Sequence, residues 1–309
     1  MMTPHNRPAA LSSSKQTFAN KWVRQKTLVG WLFVLPALIM YAIFVLVPFV
    51  LTIFYSFNRW NGVGPMTWVG LKNYVTVFQV PDLIATIYHA FLLIVWFSFI
   101  PVGLGLVTAS VINRVATGRF GEIARTVLFL PYIIALVAAG IIWGWLFSLS
   151  GLVNQFLRII GLGSITRAWL GDFNWALSAV GVIGIWVLLG FCTVLLSTAI
   201  SKVDPALYES ARIDGSTWFK EFVGITIPLL KQEIAVCLTV TVILALATFD
   251  IVYVATAGGP GNATSVPGLQ IYILAFAQRD IGLASALAVM LMIFVVVVIL
   301  PIQRLNRET

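Results

Sequence analysis

Charged residues are scarce in this sequence of 309 residues. Aspartate, glutamate, lysine and arginine make up 10% of it, whereas 60% is hydrophobic and the mean hydropathy is +0.99. Soluble globular proteins usually carry about 25% charged residues, so this chain has too few of them to cover a surface that faces water. The composition excludes a soluble cytosolic or secreted enzyme and indicates a protein embedded in a membrane.

The side chains that most often carry out chemistry are also rare. The two cysteines, Cys192 and Cys237, lie in apolar stretches and indicate neither a disulfide framework nor a zinc site. The two histidines, His5 and His89, lack the spacing of metal ligands. The sequence contains no paired carboxylates and no G-x-x-x-x-G-K-[ST] phosphate loop. We therefore predict no catalytic residue, no metal site and no cofactor bound by this chain, which cannot hydrolyse ATP itself.

Long apolar runs are abundant instead. A bilayer core of about 30 Å requires about 20 apolar residues in a helix. Six runs reach that length, and we predict spans at Leu28–Phe57, Tyr88–Ile112, Thr126–Phe147, Asn174–Ile200, Ile234–Thr256 and Ile281–Ile302. Backbone polar groups inside a bilayer must satisfy one another, and the ten-residue alternation of a membrane β-barrel is absent. The sequence therefore predicts an all-α integral membrane protein with six spanning helices.

The distribution of positive charge between the loops predicts the orientation. Fourteen of the 19 lysines and arginines lie on the side of the spans that also holds both termini. Cytoplasmic loops carry the excess of positive charge, so we predict that both termini are cytoplasmic. The predicted regions are a cytoplasmic tail (residues 1–27), a transmembrane domain (28–302) and a second cytoplasmic tail (303–309). The net charge of +8 reflects this asymmetry, so we predict contact with membrane lipid and none with nucleic acid.

One polar loop on the predicted cytoplasmic side, Lys202–Glu233, has the pattern of two short helices. Asp204 followed by Pro205 is typical of a helix start. Gly215 provides a C-cap for a first helix over residues 205–214. Ser216 is placed to cap a second helix, which we expect to end before Pro228. The loop is therefore predicted to form a helix–turn–helix beneath the membrane.

The charge of this loop helps to separate two interpretations of its role. Four basic residues face five acidic ones, so the loop is not a polybasic strip for anionic lipid. With Leu207, Ala211 and Trp218 expected at its surface, the loop is suited to contact another protein. The alternative is an ordinary cytoplasmic loop without a partner.

A motif in this loop resembles that of a known family. The motif E-A-A-x3-G-x9-I-x-L-P marks the permease subunits of binding-protein-dependent ABC importers. The matching residues here are Glu209, Ser210, Ala211, Gly215, Ile225, Ile227 and Pro228. Ser210 replaces an alanine and Ile227 a leucine, while the spacing of the other positions is intact.

Other segments resemble the carbohydrate group of these permeases, the maltose/glycerol-phosphate-like type. They are Trp31–Pro36, Ser56-Phe57, residues 69–74, Leu128–Pro131, Thr256–Pro260 and Ala284–Leu287. The resemblance covers nearly the whole chain from about residue 28. It implies a six-helix type I importer permease in a bacterial plasma (inner) membrane, with a sugar or oligosaccharide as its cargo.

The resemblance also implies partners. In this family a second permease, usually of different sequence, lies alongside, two ATPase subunits with ATP and Mg²⁺ bind beneath, and a solute-binding protein docks outside. The motif helix fits into a cleft of an ATPase subunit. On this basis Glu209 is expected to make polar contacts there, Gly215 to permit the turn and Ala211 to keep the docking face flat. The alternative for Glu209 is a solvated pair with Arg212, worth about 0–1 kcal/mol.

Asp250 is the one charged residue within a predicted span, and such residues usually face a cavity or a partner. With Phe249 and Tyr253 nearby, it is a candidate for a sugar site, where a carboxylate accepts hydroxyl hydrogen bonds and aromatic rings pack on the sugar. The alternative is a structural contact with the second permease. Further candidates for the substrate path are Asn154, Trp145, Tyr132 and Trp143.

Two other function classes fit less well. An ion-coupled secondary transporter is expected to contain more intramembrane charge than one aspartate, and it leaves the motif loop without a role. An importer of the same architecture could instead carry a non-sugar solute such as glycerol-phosphate or an amino acid. An anionic cargo favours basic residues along the path, and no predicted span contains one.

Overall fold

The computed structural model describes residues 30–115 and 118–305. The predicted N-terminal tail, the first two residues of the first predicted span and residues 306–309 of the predicted C-terminal tail lie outside these ranges. The chain separates into two compact units, residues 1–54 and 55–309.

The first unit contains most of helix α1 (Gly30–Ser56). This helix has 27 residues, and its most apolar window has a mean hydropathy of 2.7. At 1.5 Å per residue it is about 40 Å long, enough to cross a bilayer. A π-helical turn at Ala42–Leu46 lies within it.

The second unit is almost entirely helical. It opens with a two-stranded antiparallel hairpin of β1 (Asn58–Arg59) and β2 (Thr67–Trp68). The helices that follow are α2 (Lys72–Gln79), α3 (Pro81–Val115), α4 (Arg119–Ile133), α5 (Leu136–Leu146), α6 (Leu152–Ile159), α7 (Ala176–Ile200), α8 (Pro205–Ile213), α9 (Trp218–Leu229), α10 (Lys231–Leu246), α11 (Asp250–Ala255), α12 (Pro267–Ala277) and α13 (Ile281–Leu305).

The described residues contain enough apolar helix for six spans. Four helices, α1, α3, α7 and α13, are each long and apolar enough to cross a membrane. The pairs α4–α5 and α9–α10 add two more when each bent pair is taken as one span. The all-α fold predicted from the sequence is therefore confirmed, but the third and fifth predicted spans are not continuous helices.

The third predicted span breaks at Ile134 and Ala135. Both residues have extended backbone conformations, and the axes of α4 and α5 differ in direction by 98°. Pro131 lies in the last turn of α4 and has no N–H to donate to the preceding turn. The helix therefore ends soon after the proline and begins again at Leu136.

The fifth predicted span, Ile234–Thr256, is not one continuous helix. Helix α10 begins at Lys231 and ends at Leu246, and residues 247–249 form a turn before the short α11. The hydroxyl of Thr248 donates to the carbonyl of Leu244 at 2.7 Å, which satisfies one free carbonyl at the helix end. The apolar helix α12 follows, where the sequence analysis predicted no helix.

Helix α7 packs closely against α3 and α4 through small residues. A Cβ added to Gly190 of α7 would overlap the carbonyl group of Leu128 on α4. A Cβ on Gly105 of α3 would lie 2.7 Å from Cβ of Cys192 on α7. Small residues at helix crossings allow backbones in a membrane to approach and pack. This contact holds α4 against the centre of the second unit.

We expect Gly190→Ala to lower the thermal unfolding midpoint of the detergent-purified protein. The added methyl group cannot be accommodated unless α4 and α7 move apart, and overpacking of this kind costs about 1–3 kcal/mol. Gly103→Ala on α3 is the matched control, because no atom lies within 4 Å of its added Cβ. Alanine is favoured over glycine within a helix by roughly 0.5–1 kcal/mol, so the control should be at least as stable as wild type. Equal midpoints for the two variants would contradict the packing argument.

Candidate functional site

The helix pair α8–α9 has the predicted local structure at its first helix. The carboxylate of Asp204 accepts a hydrogen bond from the amide of Ala206 at 3.0 Å, as an N-cap does. Gly215 has φ +75°, and its amide donates to the carbonyl of Arg212 at 3.0 Å. The amide of Ser216 donates to the carbonyl of Ala211 at 2.9 Å, which completes a Schellman C-cap. Glycine is the residue that adopts this left-handed conformation without steric cost.

The second helix of the pair departs from the prediction at both ends. Thr217, not Ser216, is the residue before its first turn, and its side chain makes no capping hydrogen bond. The helix also continues through Pro228 to Leu229. A π-helical turn at Phe222–Thr226 precedes the proline. This wider turn changes the hydrogen-bond register, so the missing N–H of Pro228 does not end the helix there.

One face of the helix pair is exposed. Glu209, Ser210 and Leu207 lie on it, together with Ile213, which is 87% exposed. Within the described part of the chain, Glu209 has no ion pair, and Arg212 pairs with Glu221 rather than with Glu209. The alternative of a solvated Glu209–Arg212 pair is therefore wrong.

Other motif residues lie nearer the spanning helices. Ala211 and Ile225 are half-buried, whereas Gly215 and Pro228 are exposed. Trp218, which was expected at the surface, is also half-buried. Its indole N–H donates to the hydroxyl of Ser110 on α3 at 3.2 Å, and its ring stacks on Phe222. Trp218 thus attaches the helix pair to α3 and leaves the opposite face of the pair uncovered.

The sequence analysis did not identify Glu221, which lies on the inner face of the pair. Its side chain is buried and forms ion pairs with Arg114 at 3.3 Å and Arg212 at 3.2 Å. A cavity of about 80 Å³ adjoins these three residues, and polar side chains including Asn113, Tyr208 and Thr226 also line it. Arg212 is nine positions from Glu221 and Arg114 is 107 positions away, so the sequence gives no signal that the two arginines meet at one carboxylate.

A second, larger cavity of about 450 Å³ lies between the two helix breaks. Ligand pockets typically enclose about 300–1,000 Å³. Its walls come from α3, α4, α5, α7, α10 and α11 and from both breaks. The lining residues are Phe97, Tyr132, Ile134, Ala135, Leu136, Val187, Leu188, Leu244, Ala247, Thr248, Phe249, Asp250 and Ile251. Non-helical backbone within a membrane is tolerated where it lines a cavity, and interrupted helices mark substrate sites in other transporters.

Asp250 is placed at this cavity by the second break. It is the first residue of α11, it is half-buried, and it lines the cavity. Among the described residues none forms an ion pair with Asp250, and none of those that line the cavity is basic. The cavity therefore combines a largely apolar wall with a few oxygen groups, those of Tyr132, Thr248 and Asp250.

Aromatic rings continue from the cavity along α11 and α12. Phe249 lines the cavity and stacks on Tyr253, with 5.2 Å between ring centroids. Tyr272 meets Tyr253 edge to face at 5.5 Å, and Phe276 follows at 5.2 Å from Tyr272. Gly268 allows α12 to approach the backbone of the second break closely, because a Cβ at this position would lie 3.1 Å from the carbonyl oxygen of Thr248. Tyr253 thus extends the wall that Phe249 begins.

The other candidates for the substrate path lie elsewhere. Asn154 is fully buried, its amide donates to the carbonyls of Ser148 and Arg167, and its oxygen accepts from Trp169. It organises the loop after α6 and does not reach the cavity. Trp145 is 75% exposed on α5 and does not line the cavity either. Trp143 packs against Phe147 and Trp186 and is not among the residues that line the cavity.

Metal binding has no candidate site in the described ranges, where no three metal-ligating side chains lie together.

Comparison with known proteins places these features in a family. Residues 101–308 match the family described as binding-protein-dependent transport system inner membrane component. The chain is 34% identical over 273 residues to the probable ABC transporter permease protein YurN of Bacillus subtilis, with 88% of this chain and 93% of YurN covered. It is 32% identical over 292 residues to the trehalose/maltose transport system permease protein MalF of Thermococcus litoralis, with 91% and 95% covered.

A solved structure supports the same assignment. The chain is similar to a permease in the crystal structure of a bacterial ABC transporter that imports the acidic polysaccharide alginate. The TM-score is 0.78 at 26% sequence identity, and the similarity covers 93% of this chain and 98% of the other. The family match covers all helices from the second half of α3 to the end of α13, including the helix pair and both breaks. The chain therefore belongs to the family of inner membrane components of binding-protein-dependent transport systems, the permeases of ABC transporters.

Proposed function

We propose that this chain is the permease subunit of an ATP-driven importer that moves a neutral sugar or oligosaccharide into the cytoplasm. The observation that carries the proposal is the cavity of about 450 Å³ between the two helix breaks. Aromatic rings line it and continue from it, and its polar groups are oxygen atoms suited to the hydroxyls of a sugar. The trehalose/maltose permease among the relatives supports a cargo of this kind.

The charge of the cavity favours a neutral cargo over an anionic one. Asp250 carries the charge at the cavity wall, and none of the described lining residues is basic. An anionic solute such as glycerol-phosphate, or an acidic polysaccharide like that of the alginate importer, would be repelled by this carboxylate. Neutral sugar hydroxyls can instead donate hydrogen bonds to it.

The proposed coupling uses the exposed face of the helix pair. Cytoplasmic loops carry the excess of lysine and arginine, so we infer that the helix pair and both termini lie on the cytoplasmic side of the bacterial plasma membrane. Two ATPase subunits that carry ATP and Mg²⁺ dock on this face, with Glu209 and Ser210 in polar contact. A sister permease lies alongside, and an extracytoplasmic binding protein delivers the sugar at the opposite side.

Reconstitution of the complex tests this function. The chain should co-purify with an ATPase subunit and a second permease when they are co-expressed. In liposomes, ATP hydrolysis should rise on addition of the binding protein loaded with maltose, trehalose or another neutral oligosaccharide from a panel. Glycerol-phosphate and an uronic acid oligosaccharide serve as anionic controls. A chain that transports sugar without any ATPase subunit would overturn the proposal.

We expect Asp250→Asn to weaken transport at low sugar concentration. The amide retains the size of the carboxylate but accepts weaker hydrogen bonds from hydroxyls, and hydrogen bonds to charged groups contribute about 1.5–3 kcal/mol. The half-saturating sugar concentration of uptake should therefore rise by about tenfold or more. Asp172→Asn is the matched control, because its carboxylate pairs with Arg167 in the loop before α7 and is absent from the cavity. An unchanged half-saturating concentration in Asp250→Asn would contradict the sugar-site assignment.

A further inference from the structure

Glu221 is a buried carboxylate that holds two cations from different helices. It is 3% exposed, and each of its two oxygens faces one arginine. Oε2 accepts from Nη1 of Arg114 at 3.3 Å, and Oε1 accepts from Nε of Arg212 at 3.2 Å. Both arginines remain partly exposed to solvent. The carboxylate is thus satisfied only when both cations are in place.

These three residues belong to three different helices. Arg114 lies in the last turn of α3, Arg212 near the end of α8, and Glu221 in the first turn of α9. A small cavity of about 80 Å³ lies among the three helices and is lined by all three residues. The helix pair also packs on α3 through Trp218, and the charged contacts beside this cavity add a second attachment that depends on the position of each partner.

Helix α3 extends from this cluster to the large cavity. Phe97 of α3 lines that cavity. The 17 positions between Phe97 and Arg114 correspond to about 25 Å at 1.5 Å per residue. The hydroxyl of Ser98 also hydrogen-bonds that of Thr241 on α10 at 2.6 Å. A single helix thus contacts the helix pair at one end and the cavity wall further along.

A buried charge that loses its partners strongly destabilises the arrangement that contains it. Sliding or rotation of the helix pair against α3 would separate Glu221 from one of its arginines and leave its carboxylate incompletely paired. The cluster therefore favours one register of the pair on α3. We propose that Glu221 is a positioning residue, which joins α8 and α9 to α3 so that movement of the helix pair reaches the cavity wall.

This inference depends on the proposed function, because it assigns a route for the ATPase-driven movement. It is tested in the complex co-expressed with its ATPase and sister permease, with Ala247→Cys as a reporter. Ala247 lines the cavity and is exposed, whereas Cys192 and Cys237 are buried. The measured quantity is the rate at which the thiol introduced at position 247 reacts with a maleimide, with and without a non-hydrolysable ATP analogue.

In the reporter protein the nucleotide should change the labelling rate of the introduced thiol. With Glu221→Gln added, we expect this nucleotide effect to fall by about two- to thirtyfold, the range for mutations that alter coupling between sites. Co-purification of the ATPase and basal ATP hydrolysis should stay unchanged, because the exposed docking face is intact. Arg212→Gln should reduce the effect in the same direction, and the double variant should be no worse than Glu221→Gln.

The outcomes separate the two hypotheses. No nucleotide effect in the reporter protein itself would overturn the proposed function, since no ATP-driven movement reaches the cavity. A full nucleotide effect in Glu221→Gln would overturn the positioning role alone. Loss of ATPase co-purification in that variant would also overturn it, because Glu221 would then support docking and not transmission. If Glu221→Gln fails to accumulate in the membrane, Arg212→Gln decides, because it leaves Glu221 paired with Arg114.

Discussion

Gly215→Trp is expected to abolish sugar uptake while the protein remains inserted in the membrane. Gly215 has φ +75°, where a residue with a Cβ is strained by about 1–2 kcal/mol. No atom of the described residues lies within 4 Å of an added Cβ, so the side chain begins in open space at the surface of the helix pair. It would lie beside the exposed face that contains Glu209. Docking of the ATPase subunit should therefore fail although the spanning helices still pack.

Two substitutions at the same position separate strain from bulk. Gly215→Ala introduces the backbone strain without the large ring, and Gly215→Asn introduces less strain because asparagine tolerates this conformation. Both should retain most of the uptake of labelled sugar by whole cells, and both should co-purify with the ATPase. If Gly215→Ala loses as much uptake as Gly215→Trp, the strained turn and not the docking surface explains the loss. Normal uptake in Gly215→Trp would contradict docking at this face.

The features that the sequence predicted depend on local chemistry. The scarcity of charge and the length of the apolar runs indicate spanning helices whatever the tertiary packing. The N-cap at Asp204 and the C-cap at Gly215 involve hydrogen bonds to residues at most five positions away, so the types of the neighbouring residues reveal them. The motif that begins at Glu209 led to the family, which the comparisons confirm.

The two helix breaks depend on tertiary structure and were missed. Ile134 and Ala135 are ordinary apolar residues, and only the nearby Pro131 distinguishes that stretch. At the second break, Gly268 allows α12 to approach the backbone of Thr248, a contact between residues 20 positions apart. Hydropathy reports whether a segment is apolar and does not report where it bends.

The contacts of individual polar side chains also could not be predicted from the sequence. Glu221 is one of the five acidic residues of the loop, and Arg114, which pairs with it, is 107 positions away. Asn154 is a candidate for the substrate path, but the carbonyls to which its amide donates belong to Ser148 before α6 and to Arg167 after it. In both cases the residue type indicated a polar contact. Only the fold determines whether the group that it contacts belongs to the cargo, to a partner protein or to the neighbouring backbone.

Ala247→Trp is expected to stop uptake by filling the large cavity. Ala247 lies at the second break, is exposed, and shares the cavity wall with Ala135 at the first break. An indole there occupies space in the cavity that a sugar ring would need. Uptake of labelled sugar should fall to background. The helix pair is unaltered, so the ATPase should still bind and ATP hydrolysis should continue without transport.

The control for bulk is Ile243→Trp, which lies four residues earlier, on α10. Ile243 is exposed and does not line the cavity, so the indole adds a similar volume outside the proposed route. This variant should retain uptake, and Ala247→Ser, which adds a single oxygen within the cavity, should retain it as well. Uptake that depends on side-chain volume at position 247 but not at position 243 would locate the route in the cavity. If Ala247→Trp and Ile243→Trp transport equally well, sugar does not pass between the two helix breaks, because no path through a cavity of about 450 Å³ could ignore a tryptophan in its wall.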